Sequence, residues 1–191
     1  YRALAQAGVP AVALADQSVF EAAEATELLD WLVAIEEPSS GAKLRRALVT
    51  PLAGCSADDL LVDPAGKAEE SLVLSTWADR VRGWNDLWQR SGFIQMMRDV
   101  LDGEGRSERI LGEAGGERRL TNLLHLTELL HAQARVDRLG PAGLVQWLRQ
   151  QVDAKDRSVE EHLVRLESDH SVVQVTTMHR AKGLEYGVVW C

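Results

Sequence analysis

Near its carboxyl end the sequence reads Val175-Thr176-Thr177-Met178-His179-Arg180-Ala181-Lys182-Gly183-Leu184-Glu185-Tyr186, a dense run of polar groups around one glycine. Thr177 and His179 offer a hydroxyl and an imidazole that can bond a phosphate. Arg180 and Lys182 bring positive charge, and Gly183 lets a backbone come close to a ligand. Glu185 differs in kind, since a carboxylate repels a nucleic-acid backbone but accepts hydrogen bonds from a sugar hydroxyl. The plain alternative is a solvated loop.

The elements around this run decide what it can do. Ser171 to Thr176 is rich in valine and threonine, and Tyr186 to Trp190 is a second β-prone run, so the polar residues are expected to follow the carboxyl end of a strand. In open α/β sheets that is where ligands bind. At the other end of the chain, Tyr1 to Ala7 predicts a helix, Gly8-Val9-Pro10 stops it, and Ala11 to Leu14 predicts a strand, an order typical of the edge of a parallel sheet.

Between these ends the period is helical. Behind a possible Ser18 cap, Glu21 to Ile35 carries Leu28, Leu29, Leu32, Val33 and Ile35 at helical spacing. Further helices are expected at 41–49, 56–61, 71–90, 92–101, 108–111, 117–138, 142–152 and 159–166, separated by Gly-, Pro- and Asp-rich breaks. Nothing from Leu48 to Glu167 alternates as a strand. The expected fold is mainly α, an all-helical block inserted into a partial α/β domain with a parallel sheet formed by the two chain ends.

Composition narrows the function classes. The chain has 191 residues, 46% of them hydrophobic, and a formal net charge of −8, so it offers no overall basic footprint for nucleic acid and any DNA contact must be local. No apolar run approaches the roughly 18 residues of a membrane helix, and no secretory signal opens the sequence, so no membrane association and a cytoplasmic address are expected. Cys55 and Cys191 are too few for a disulfide framework or a metal cluster. The sequence opens without methionine inside a helix and closes inside a strand, which reads as an excised fragment.

Other constellations carry less. The phosphate loop Gly-x-x-x-x-Gly-Lys-Ser/Thr is absent, because Leu61 stands where Gly66-Lys67 would need its first glycine. His125, His131, His162, His170 and His179 show no metal-ligand spacing, so no metal site is expected, and His125 and His131 read as solvated or core-edge residues. No serine or cysteine sits in a nucleophile motif. Trp77, Trp84 and Trp88 share a helix face, where a packed seam is expected rather than base stacking. Arg118 and Arg119, at the start of the longest expected helix, suit either a salt bridge or a phosphate contact.

The run Thr177-x-His179-x-x-Lys182-Gly183-Leu184-Glu185-Tyr186 resembles the fifth motif of the UvrD/Rep-type superfamily 1 DNA helicases. Leu4 to Leu14 followed by Phe20-Glu21 is similar to the region of their fourth motif. Within that family, Gly115 to Leu130 and Arg165 to Trp190 look most like the RecB-like helicase–nuclease subunits, and the resemblance covers essentially the whole chain. Met178 and Arg180 depart mildly, at variable positions.

The resemblance implies the following. Residues 1–22 and 169–191 would belong to a second RecA-like motor domain, and 23–168 would form an accessory helical domain. Thr177, His179 and Arg180 would face single-stranded DNA. Glu185 would face the nucleotide and its ribose, with Lys182 and Gly183 linking the two sites. No catalytic residue is expected within the chain. ATP and Mg2+ would be used by the whole protein, held by a first motor domain that this sequence does not include, and neither is expected to bind this chain alone. DNA, RecC-like and RecD-like subunits would be partners in unwinding and degrading duplex ends. The alternatives are a UvrD/Rep-type helicase without nuclease, an AddA-like one, or a helical protein-interaction module with no motor.

Overall fold

The computed structural model describes residues 11–13, 18–55, 68–154, 173–175 and 188–189. By its internal contacts the chain forms two compact units, Tyr1–Gln17 with Leu166–Cys191, and Ser18–Arg165. Among the described residues no helix is long and apolar enough to cross a membrane.

The first unit holds strand β1 (Ala11–Ala13) and strand β2 (Val173–Val175). They pair in parallel, with Ala11 opposite Val173, Val12 opposite Gln174 and Ala13 opposite Val175. A parallel pair cannot be closed by a tight hairpin and needs a long connection, and here the whole second unit lies between the strands in sequence. The strands expected at 11–14 and 171–176 are thus present at their described residues, 11–13 and 173–175. The strand expected at 186–190 is not seen at its described positions: Val188 and Val189 lie outside any strand and are exposed. A β-prone run adopts the strand conformation only where a neighbouring strand accepts its hydrogen bonds. The helices expected at 1–7, 56–61 and 159–166 fall outside the described residues.

The second unit is helical throughout its described length. A 3-10 turn, Val19–Glu21, leads into α1 (Ala23–Glu36), followed by α2 (Gly41–Leu48), α3 (Ala68–Ser91), α4 (Phe93–Asp102), a second 3-10 turn (Gly103–Gly105), α5 (Arg106–Leu111), α6 (Gly116–Val136) and α7 (Pro141–Asp153). Ser18 does cap, but not the helix expected. Its hydroxyl accepts from the Phe20 N–H at 3.3 Å, closing the 3-10 turn, while α1 starts behind Ala22 with no side-chain cap. The longest helix is α3, of 24 residues, rather than α6, of 21. Gly92, at φ +85°, separates α3 from α4 in a conformation that a β-carbon would strain. Pro141 in the first turn of α7 needs no N–H partner.

Helix α1 is the centre. Its buried residues Leu28, Leu29, Trp31, Leu32, Ala34 and Ile35 cover more than one face, as a helix enclosed by neighbours requires, and it packs against α2, α3, α6 and α7. Around it lie Leu44 and Leu48 of α2, Val81 and Trp84 of α3, Leu123, Leu126 and Leu130 of α6, and Leu144 and Leu148 of α7, all in one continuous core. The tryptophan seam forms in part. Trp77 and Trp84 sit edge-on to Trp31 at 5.6 and 5.7 Å between ring centroids, while Trp88 turns to Phe93 at 5.6 Å. Trp84 and Trp88 are buried, so their rings are spent on the core rather than offered to nucleic-acid bases. His125, expected to be solvated or at the core edge, is instead buried at 2% exposure, at the margin of the inward arc of α6 beside Asn122.

Candidate functional site

The site read from the sequence begins two residues beyond β2. Thr177, His179, Arg180, Lys182, Gly183 and Glu185 all lie outside the described residues. What the structure contributes is the strand that leads into them. Because β1 and β2 are parallel, both strands end on the same side of the pair, and the chain leaves Val175 toward Thr177 from that carboxyl end. Carboxyl ends of parallel strands are where α/β sheets receive ligands, since the following turn leaves backbone N–H groups free to face them.

The helical unit contains the strongest described electrostatics, and the sequence alone did not reveal them. Arg119, in the first turn of α6, reaches Glu24 at 3.7 Å and Glu27 at 3.1 Å on α1, and also bonds Glu113 in the preceding turn. Glu24 in turn accepts from the Asn122 amide at 3.1 Å. One guanidinium therefore serves three carboxylates. Burial pushes the Glu27 carboxyl above its ordinary value of 4.5; Arg119 pulls it down, and the Glu24 and Glu113 charges push it further up. Arg119 thus forms salt bridges, but not the expected surface one with neighbouring acids alone: it is largely buried, and two of its carboxylates come from α1. Arg118 beside it is exposed.

Two further arginines act as internal ties. Arg106 is almost wholly buried, with its guanidinium over the rings of Trp77 and Trp84 at 5.4 and 5.1 Å. It donates to the carbonyl of Val100 at 2.5 Å, so it closes the end of α4 while its charge faces two indole rings. Arg109 donates to the carbonyls of Pro51 and Leu52 at 3.2 and 2.7 Å, joining α5 to the turn after α2. These arginines are consumed by carbonyls, rings and carboxylates, and the local sequence does not separate them from exposed arginines, because partners such as Trp77, Leu52 and Glu27 lie far along the chain.

In chain order the described elements are a strand, a helical block and a returning strand that leads toward the motif run. No family model matches the chain. It is 36% identical over 183 residues to the RecBCD enzyme subunit RecB of Escherichia coli (strain K12), covering 95% of this chain and 15% of that protein. It is 37% identical over 189 residues to the RecBCD enzyme subunit RecB of Mycobacterium tuberculosis (strain ATCC 25618 / H37Rv), covering 98% of this chain and 16% of that protein. Against an ATP-dependent helicase/nuclease subunit of Desulforamulus reducens the identity is 24% over 201 residues, covering 96% of this chain and 16% of that protein. The chain belongs to the RecB family, and it spans 15% and 16% of the length of the two RecB relatives.

Proposed function

We propose that this chain is a segment of a RecB-type subunit of an ATP-dependent DNA helicase and nuclease, acting on double-stranded DNA ends in recombinational repair in the cytoplasm. The observation that carries the reading is identity of 36% and 37% to RecB proteins over 95% and 98% of the chain. In this reading residues 1–22 and 169–191 contribute to a RecA-like motor domain and residues 23–168 form its accessory domain. Thr177 and His179 bond the DNA backbone by hydroxyl and imidazole, Arg180 adds a local positive charge, and Glu185 accepts from the nucleotide's ribose. Lys182 and Gly183 join the two. ATP with Mg2+ supplies the energy of stepping, and the groups that hold its phosphates belong to sequence outside this chain, which has no phosphate loop.

The net charge of −8 favours contact between the helical unit and partner subunits, of RecC and RecD type, over contact with duplex DNA. A second reading, an AddA-like helicase and nuclease, rests on the 24% identity to the Desulforamulus reducens helicase/nuclease protein. The test is purification of the intact protein that carries this chain, with its bound partners. ATP hydrolysis and unwinding that depend on duplex ends, in a complex with two further subunits, are expected. One partner in place of two points to the AddA-like reading, and hydrolysis indifferent to DNA overturns both.

A further inference from the structure

We draw no further inference here: the strongest candidate, the cluster of Glu24, Glu27 and Glu113 carboxylates beside the first turn of α6, is filled at its centre by the Arg119 guanidinium, and among the described residues no group of carboxylates, histidines or cysteines could hold a metal ion.

Discussion

Arg119 and Glu27 stand 92 positions apart in the chain and meet at 3.1 Å, α6 to α1, with side chains only 16% and 13% exposed. Glu24 and Glu113 share the same guanidinium, so removing it leaves three carboxylates facing one another. Breaking a buried ion pair by deleting one partner costs more than the pair itself contributes, because the stranded charges keep their desolvation penalty. Arg119→Met is expected to destabilise the helical unit by about 3 kcal/mol, read from urea unfolding followed by tryptophan fluorescence. A change under about 0.5 kcal/mol, the scale of an exposed pair, contradicts the buried-hub account.

Glu27 gives a pH-dependent counterpart of opposite sign. Burial holds its carboxyl above 4.5 in the folded chain, so the folded state binds that proton more tightly than the unfolded state does. The associated stability is fully present below 4.5 and is lost as pH rises through the folded value. At pH 7 the ionised Glu27 therefore costs stability. Glu27→Gln, which mimics the neutral form and keeps an acceptor for Arg119, is expected to raise the Tm at pH 7, with the gain vanishing as pH falls to 4.5. A gain that persists unchanged at pH 4 contradicts this assignment.

Two glycines separate close approach from open space. A β-carbon at Gly116 would lie 1.8 Å from the Ile110 carbonyl oxygen, a backbone atom that cannot step aside, whereas one at Gly83 of α3 meets nothing within 4 Å. Gly116→Ala is expected to cost about 2–3 kcal/mol, since the turn joining α5 to α6 must open. Gly83→Ala should instead stabilise by about 0.5–1 kcal/mol, through the lower entropy of the unfolded chain. Thermal unfolding of both variants checks the pair, and similar shifts in the two would contradict the close approach.

Helix positions were legible where local chemistry punctuates them. Gly92, Gly115 and Pro141 mark the limits of α4, α6 and α7 to within a residue or two, because cap and turn preferences act over a few residues. What depends on distant neighbours was not legible. Trp77 and Trp84 could be placed on one face, but their partner Trp31 comes from α1, and Trp88 leaves the seam for Phe93. The Arg119 carboxylates, the burial of His125 and the register of Ala11 with Val173 are likewise set by packing across the chain. The motif Thr177 to Glu185 is the reverse case: it is read from residue types, spacing and resemblance alone, and its residues lie outside the described ones.

The most direct test of that motif's role is the partition of ATP hydrolysis in the intact protein that carries this chain, with His179→Ala. Loss of one hydrogen bond to a charged phosphate, about 1.5 kcal/mol, is expected to raise the DNA concentration for half-maximal stimulation by roughly tenfold while DNA-independent hydrolysis is retained. Equal losses in DNA-stimulated and basal hydrolysis, with the DNA dependence unmoved, would contradict a DNA contact at His179 and with it the account of this site.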